Sequence, residues 1–230
     1  MEKEKQVFIL LGGSGKLGRV LNTFLKQKYT ECMLISTYNV NGVQNCETNQ
    51  FCVDFSKHEC VEQFSNHVVQ ILSSEKTLNI CVLNVMGRYY KEEFSEFSMT
   101  DFEQTMAIHC TNFYGFLSKI LTIESISQFN CIYLSSNLIL RCNKGTYSYI
   151  ASKNAGESVI RQLAYEHKKN KNYRFNIIAP GYFGDMSEER TEVKNYDIVY
   201  DICKAIVFFL ETKVTTGTRL VIDGGETIGY

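Results

Sequence analysis

The chain has 230 residues, enough for one α/β domain with little left for a second. Its composition, 44% hydrophobic and 21% charged, is that of a globular protein and excludes a disordered chain or a coiled coil. The net charge of −1 gives no basic excess, so we expect no binding to nucleic acid or to a membrane surface. No apolar run is long enough to span a bilayer, and no secretory hydrophobic region follows the charged start, so we expect a cytoplasmic protein.

The chain has nine cysteines, an odd number, and no two of them form a CxxC motif. Cys60 and His58 lie two residues apart, but no second pair accompanies them to complete a ligand set. Several cysteines lie within apolar runs. We therefore expect reduced thiols that pack as small core side chains in a reducing compartment, and no metal site.

Apolar runs of strand length alternate along the chain with longer amphipathic stretches. This pattern predicts an α/β fold in a single domain, a three-layer doubly wound parallel sheet of about seven strands with its ligand crevice at the carboxyl ends of the strands. The predicted strands are Val7–Leu11, Cys32–Ser36, Phe51–Asp54, Ile80–Val85, Cys131–Ser135, Arg174–Ile178 and Arg219–Ile222. The predicted helices are Lys16–Lys28, Lys57–Ser73, Asp101–Ser125, Tyr147–Lys169 and Tyr196–Leu210.

A glycine-rich loop joins the first predicted strand to the first predicted helix. It contains glycines at three-residue spacing, Gly12, Gly15 and Gly18. Such glycines let the backbone turn tightly and approach a pyrophosphate, while the free N–H groups at the start of a helix attract negative charge. The position of this loop, between a strand and a helix near the start of the chain, predicts nucleotide binding.

Tyr149 and Lys153 lie four residues apart on a predicted helix and therefore share one face. A nearby ammonium favours the phenolate and lowers the tyrosine pKa from about 10 toward the range useful for proton transfer. Taken alone, this spacing is more typical of a surface pair on an amphipathic helix. Two other residues favour the chemical interpretation. Ser136 follows the fifth strand, where its hydroxyl can donate to a carbonyl oxygen, and Asn112 lies within an apolar helix, where we expect it to bind water.

Together these residues resemble the short-chain dehydrogenase/reductase family over a stretch from about residue 7 to residue 225. Asn112, Ser136, Tyr149 and Lys153 have the order and approximate spacing of that family's catalytic tetrad. Further short motifs, at 84–87, 180–181 and 223–225, match the family in register. The resemblance implies a Rossmann fold and cofactor contacts from the following residues: Gly12, Ser14, Gly15, Lys16, Leu17, Gly18, Thr37, Asp54, Phe55, Asn84, Gly87, Tyr149, Lys153, Pro180, Gly181 and Phe183.

The resemblance also implies an activity, that of an NAD(P)(H)-dependent ketone or aldehyde reductase or alcohol dehydrogenase. In this interpretation Tyr149 is the general acid or base, and Lys153 lowers its pKa and binds the ribose hydroxyls. Ser136 binds the substrate oxygen, and Asn112 holds a water that connects Lys153 to solvent. The family further implies a small-molecule or carrier-borne substrate and a homodimer or homotetramer.

Some positions depart from the family's pattern. Lys16 stands where many single-domain members have a glycine, and Asp185 stands near the position of a threonine that binds the nicotinamide. The substrate-lid segment, residues 182–196, is short and highly charged, and its acidic excess disfavours strongly anionic substrates. The end of the second strand, Ser36–Asn39, has no acid for a ribose 2′-hydroxyl, whereas Lys16 can pair with a 2′-phosphate. We therefore expect NADP(H) to be weakly preferred over NAD(H).

Two other functions stay open at this stage. A sugar-nucleotide epimerase or dehydratase uses the same cofactor with Ser, Tyr and Lys, although this sequence includes no C-terminal substrate domain of the kind those enzymes have. A non-catalytic nucleotide-sensing protein of the same fold would fit the short lid and Asp185. An intact tetrad argues against such a sensor, which has no need of Tyr149.

Overall fold

The computed structural model describes residues 4–39, 49–141, 143–183 and 198–228. Seven strands form one parallel sheet in the order β3-β2-β1-β4-β5-β6-β7. Their bounds are β1 Lys5–Leu11, β2 Met33–Tyr38, β3 Gln50–Cys52, β4 Leu78–Asn84, β5 Ile126–Leu134, β6 Tyr173–Pro180 and β7 Arg219–Ile222. The predicted doubly wound parallel sheet, with its reversal of strand order between β1 and β4, is confirmed.

Six α-helices cover the sheet within the described part of the chain. They are α1 Lys16–Lys28, α2 His58–Leu72, α3 Met99–Met106, α4 Asn112–Ile120, α5 Tyr147–Glu166 and α6 Ile198–Glu211. A π-helical turn, Ala107–Thr111, joins α3 to α4. Single 3₁₀ turns occur at Phe94–Glu96 and Asn137–Ile139.

The strands are apolar on both faces because each face is covered by helices. Alternate residues of β1 point to opposite layers. Val7 and Ile9 pack in the layer of α2, α4 and α5, whereas Phe8 and Leu10 pack in the layer of α1 and α6. The central position of β1, between β2 and β4, therefore explains its uninterrupted hydrophobic run.

The predicted element bounds agree best where a local signal marks them. Helix α1 and strand β7 have their predicted bounds, whereas the helix predicted over Asp101–Ser125 begins at Met99, ends at Ile120 and contains a π turn. Strand β6 extends to Pro180, two residues beyond its predicted end. The next residue, Gly181, donates its N–H to Ile222, so the pairing with β7 continues past the proline.

Seven of the nine cysteines lie within the described residues, and all seven are free thiols. Cys81, Cys110, Cys131 and Cys203 are buried, which confirms their predicted packing role, while Cys52 is exposed. The other two, at positions 46 and 142, lie outside the described residues. Across the described ranges no helix is both long and apolar enough to cross a bilayer, and no three potential metal ligands cluster.

Candidate active site

The glycine loop takes its shape from close backbone packing. Gly12 has a φ of +93°, a conformation that side chains rarely adopt. A Cβ on Gly13 would lie 2.0 Å from Ser36 Oγ, and a Cβ on Gly18 would lie 2.2 Å from the carbonyl oxygen of Gly12. A Cβ on Gly15, by contrast, would be 3.5 Å from its nearest neighbour. The fold therefore requires glycine at positions 12 and 18, whereas a side chain at position 13 would have to displace the Ser36 hydroxyl.

Thr37 fixes this loop from the end of β2. Its Oγ1 accepts the Gly12 N–H at 3.0 Å, and its carbonyl oxygen accepts the Gly13 N–H at 2.7 Å. The threonine side chain is buried. Its hydroxyl oxygen therefore supports the loop from the end of β2.

The loop leads into a helix start that is open to an anion. Helix α1 has no side-chain cap at Gly15 and no acidic residue in its first turn. The N–H groups of its first turn therefore keep the partial positive charge of a helix N-terminus. Leu17 contributes only its backbone here, since its side chain is buried in the α1 and α6 layer.

Two cavities adjoin the carboxyl ends of the strands. A cavity of about 190 Å³, the glycine-loop cavity, is lined by Gly12, Ser14, Gly15, Thr37, Asp54 and Phe55 among others. A second cavity of about 330 Å³, the catalytic cavity, is lined by Lys16, Ser136, Tyr149, Lys153, Pro180, Gly181 and Phe183 among others. Both are lined by the segment 85–87, so the two cavities adjoin, and most of the predicted residues line one or the other.

Two predicted residues beside the glycine-loop cavity are held by local contacts. Asp54 Oδ1 accepts hydrogen bonds from the Ser56 N–H at 3.0 Å and from its hydroxyl at 2.7 Å. The Phe55 side chain is buried against Phe64 and Phe116. Asp54 and Phe55 both line the glycine-loop cavity, and the buried Phe55 ring fixes their segment to the core.

Lys153 is buried at the floor of the catalytic cavity. Its Nζ donates to the carbonyl oxygen of Met86 at 3.0 Å and to that of Leu134 at 2.8 Å. Burial lowers the pKa of Lys153 to about 7, and the Glu157 carboxylate one helical turn away acts in the opposite direction. The lysine thus connects α5 to the ends of β4 and β5.

Tyr149 lies on the same face of α5, and the Lys153 Nζ is 5.8 Å from the centre of its ring. Burial raises the pKa of Tyr149, while a hydrogen bond with the Ser136 side chain acts to lower it. In this structure burial outweighs the lowering that the sequence leads us to expect from the Tyr149–Lys153 pair. Ser136 and Tyr149 both line the catalytic cavity, so both can contact one substrate oxygen.

The comparisons with known proteins bear on this cluster. A family model described as enoyl-(acyl carrier protein) reductase, one of the short-chain dehydrogenase/reductase models, matches residues 39–227. This match covers most of the chain. The chain belongs to the short-chain dehydrogenase/reductase family. The family and the oxidoreductase class predicted from the sequence are therefore confirmed.

Curated relatives match over a shorter stretch. The 3-oxoacyl-[acyl-carrier-protein] reductase of Bos taurus is 38% identical over an aligned length of 95, and the match covers 37% of this chain and 40% of that protein. The human protein of the same name is 35% identical over 96 residues, with the same coverage. The matched segment thus spans well under half the length of these relatives.

Solved structures of this family share the fold along nearly the whole chain. A 4-hydroxyisoleucine dehydrogenase mutant complexed with NADH and succinate has a TM-score of 0.82 at 20% identity, covering 97% of this chain and 99% of that one. A short-chain dehydrogenase from Burkholderia cenocepacia J2315 in complex with NADP has a TM-score of 0.79 at 17% identity, covering 97% and 98%. At these identities the likeness shows the fold alone.

Three of the four tetrad residues meet in the catalytic cavity, and Asn112 does not line it. Asn112 begins α4 directly after the π turn. Its Nδ2 donates to the Phe55 carbonyl oxygen at 2.9 Å, and its Oδ1 lies 3.4 Å from His58 Nδ1. The asparagine side chain therefore joins α4 to the segment after β3, and the predicted role of Asn112 in holding a water near Lys153 stays a prediction.

Asn84, Leu17 and Gly18 also lie outside the lining of both cavities. Asn84 is buried, and its Oδ1 accepts the Met86 N–H at 3.1 Å. It therefore shapes the segment that the two cavities share. Of the lid, residues 182 and 183 line the catalytic cavity, whereas most of the segment, with Asp185, lies outside the described residues.

Sequence reasoning missed two side chains that support the cluster. Glu92 accepts hydrogen bonds from the backbone N–H of Ser148 and, at 2.8 Å, from its hydroxyl, so it caps the first turn of α5. His109 is fully buried in the π turn and its ring meets the Tyr149 ring edge-on, with centroids 5.5 Å apart. A glutamate 56 residues before the serine gives no local signal, but a histidine three residues before Asn112 in an apolar helix does.

Proposed function

We propose that this protein is an NAD(P)(H)-dependent oxidoreductase that interconverts a carbonyl and an alcohol, with Tyr149 as the general acid or base. The observation that carries the proposal is the meeting of Ser136, Tyr149 and Lys153 in one cavity that shares the segment 85–87 with the glycine-loop cavity. The named relatives are reductases and dehydrogenases, which supports this function over an epimerase or a nucleotide sensor.

The residues present fit a dinucleotide cofactor. The uncapped start of α1 suits a pyrophosphate, and Gly12, Ser14 and Gly15 line the glycine-loop cavity beside it. At the other end, the Nζ of Lys153 uses two donors on carbonyl oxygens, which leaves a third N–H for a ribose hydroxyl. When bound, the nicotinamide supplies or accepts the hydride.

The side chains of the catalytic cavity supply proton transfer and orientation. In the reductive direction the Tyr149 hydroxyl donates its proton to the substrate oxygen, and the Ser136 hydroxyl donates a hydrogen bond to the same oxygen. The buried Lys153 ammonium stabilises the phenolate that results. Since the pKa of Lys153 is about 7, its proton can exchange near neutral pH.

We further propose that NADP(H) is weakly preferred, and that Arg19 rather than Lys16 serves the 2′-phosphate. Lys16 lines the catalytic cavity. Arg19 and Lys26 line a separate cavity of about 370 Å³ beside Ser36, Thr37 and Tyr38 at the end of β2. A cation in this position favours a phosphate over a hydroxyl.

Titration of NADPH and NADH tests this preference. Arg19→Ala should weaken NADPH on the order of tenfold, as for one lost charge-assisted contact, and weaken NADH less. Lys16→Ala is the matched control and should affect both cofactors alike. If the wild-type protein binds NADH as tightly as NADPH, or more tightly, the preference is wrong.

The substrate class follows from the walls of the catalytic cavity. Val85, Tyr89, Leu134, Leu138 and Phe183 make much of this lining apolar. Three cations also line it: Lys16, Arg141 and Lys153. Arg141 Nη2 is 2.6 Å from Glu226 Oε2, and Lys153 Nζ donates to two carbonyl oxygens. We propose an uncharged carbonyl substrate with an apolar part, such as a 3-oxoacyl group carried on a thioester.

A substrate panel followed at the nicotinamide absorbance tests the proposed function. It contains 3-oxoacyl thioesters of several lengths, simple ketones, the corresponding alcohols, and free 3-oxo acids, each with NADPH and NADH. We expect turnover of the thioesters to exceed that of the free acids. The absence of turnover with every carbonyl and alcohol would contradict the proposal.

The homodimer or homotetramer stays a prediction. Exposed aromatic side chains on and beside α4 and α5, namely Phe94, Tyr114 and Tyr147, support an apolar contact there. Light scattering after gel filtration measures the mass directly, and a monomer at micromolar concentration would contradict it.

A further inference from the structure

His109 is a buried polar side chain that the proposed proton transfer does not use. It lies in the π turn Ala107–Thr111, three residues before Asn112, and is fully buried. A buried imidazole needs partners for both of its nitrogens. The two partners of His109 come from different parts of the fold.

The direction of each hydrogen bond in this group is fixed. The Arg88 backbone N–H donates to Nε2 of His109 at 3.1 Å, so this nitrogen carries a lone pair. The ring proton therefore lies on Nδ1, which donates to Ser152 Oγ at 2.8 Å. The Ser152 hydroxyl in turn donates to the carbonyl oxygen of Tyr149 at 2.9 Å.

These contacts join the π turn to two segments that line the catalytic cavity. Arg88 follows Gly87, which lines both cavities, and Ser152 lies on α5 next to Lys153. The His109 ring also meets the Tyr149 ring at an interplanar angle of 85°. One side chain therefore holds both the backbone and the ring of Tyr149 relative to the segment that the cavities share.

Protonation of His109 would break this arrangement. A proton on Nε2 would face the Arg88 N–H, so donor would meet donor. Burial lowers the pKa of His109 well below its usual value, and the charges of Lys153 and Arg88 act in the same direction. The imidazole is therefore neutral near neutral pH and has a geometric role, not one in proton transfer.

We propose that His109, in its neutral Nδ1–H form, is a positioning residue that orients Tyr149 for proton transfer through Ser152 and through ring contact. This inference rests on the proposed function, since it assumes that Tyr149 is the general acid or base. It predicts that the loss of His109 slows the chemical step more than it weakens cofactor binding, because a small misplacement of a catalytic group is costly.

Three substitutions at one position separate the two hydrogen bonds of the ring. His109→Asn keeps a donor near the Nδ1 position, His109→Gln keeps an acceptor near the Nε2 position, and His109→Ala keeps neither. We expect kcat to fall on the order of tenfold or more in His109→Ala, with KM and NADPH binding nearly unchanged. His109→Asn should recover more kcat than His109→Gln, because it retains the donor to Ser152.

His167 provides the matched control at the other end of α5. It is the C-cap residue of this helix and stacks against Tyr173 and Phe175. His167→Ala should lower the melting temperature without lowering kcat. If His109→Ala keeps wild-type kcat, or if its kcat falls only as its stability falls with no recovery in His109→Asn, the proposal is overturned.

A measurement without substrate tests the geometry on its own. The ¹⁵N spectrum of the histidine rings, with His109 assigned by its absence in His109→Asn, should show a neutral Nδ1–H ring between about pH 6 and pH 8. A neutral Nε2–H ring or a charged ring would overturn the proposal. If the wild-type protein turns over no carbonyl, the proposed function fails, whereas the ring spectrum still decides the arrangement inferred for His109.

Discussion

At the glycine-loop end of the crevice, the backbone packs against itself and against the end of β2. Gly18 packs against the carbonyl of Gly12, and Thr37 holds the loop through its hydroxyl and carbonyl. At the catalytic end, side chains from distant segments meet. Lys153 bonds to carbonyls 67 and 19 residues away, and His109 bonds to Ser152, 43 residues away.

This difference separates two kinds of sensitivity. The glycine-loop end depends on the absence of side-chain volume, so a single methyl group disturbs it. The catalytic end depends on buried polar groups that hydrogen-bond to one another. The loss of one group leaves its partners buried without a hydrogen bond. Substitutions should therefore disturb packing at the glycine-loop end and hydrogen bonding at the catalytic end.

The largest expected effect is at Gly18. A Cβ there would lie 2.2 Å from the Gly12 oxygen and 2.7 Å from Gly13 atoms, all of them backbone, so the loop must move. Gly18→Ala should abolish cofactor binding and lower the melting temperature. Gly15→Ala, with 3.5 Å of room, is the control and should keep the fold. Equal stability of the two variants in thermal unfolding would contradict the packing of the loop.

The burial of Lys153 should change how the free energy of unfolding depends on pH. Its pKa falls from 10.5 to about 7 on folding, so between these values the unfolded chain binds the extra proton. The free energy of unfolding should then rise with pH above about pH 7, by on the order of a few kcal/mol in total. Below about pH 7 the contribution of this group is constant.

Urea unfolding at about pH 7 and pH 9 measures this rise. Lys153→Met should lack it, because the methionine does not titrate. The comparison concerns the slope with pH rather than absolute stability, since the variant also leaves the carbonyls of Met86 and Leu134 unpaired. A wild-type slope no steeper than that of Lys153→Met would contradict the burial of a titrating ammonium.

The effect of Ser136 should be smaller and confined to the rate. Its hydroxyl also accepts the Leu138 N–H at 3.2 Å, but removal of the oxygen leaves the cavity intact. Ser136→Ala should lower kcat on the order of 10²-fold, as for one lost donor to a developing oxyanion. NADPH titration should show little change. A large loss of NADPH binding would instead assign Ser136 to cofactor binding.

The sequence predicts the glycine-loop end well because its signals are local. A strand, three glycines and a helix follow one another, and the bounds of α1 agree with the structure. The order of Ser136, Tyr149 and Lys153 is also readable, because the parallel topology brings the ends of β5 and α5 to one edge of the sheet.

The remaining features depend on contacts between distant segments. The direction of the Asn112 side chain is set by the Phe55 carbonyl, and the cap on α5 comes from Glu92. The π turn before Asn112 has no composition signal of its own. The structure shows that this turn carries His109, which hydrogen-bonds to both Arg88 and Ser152.

The central claim is that Tyr149 performs proton transfer at an end of the crevice that is built separately from the cofactor site. Parallel measurement of turnover and of NADPH binding in Tyr149→Phe tests it most directly. The account predicts a fall in kcat on the order of 10²–10⁴-fold, as for a lost general acid, with NADPH affinity almost unchanged. Near-native turnover by Tyr149→Phe would contradict it.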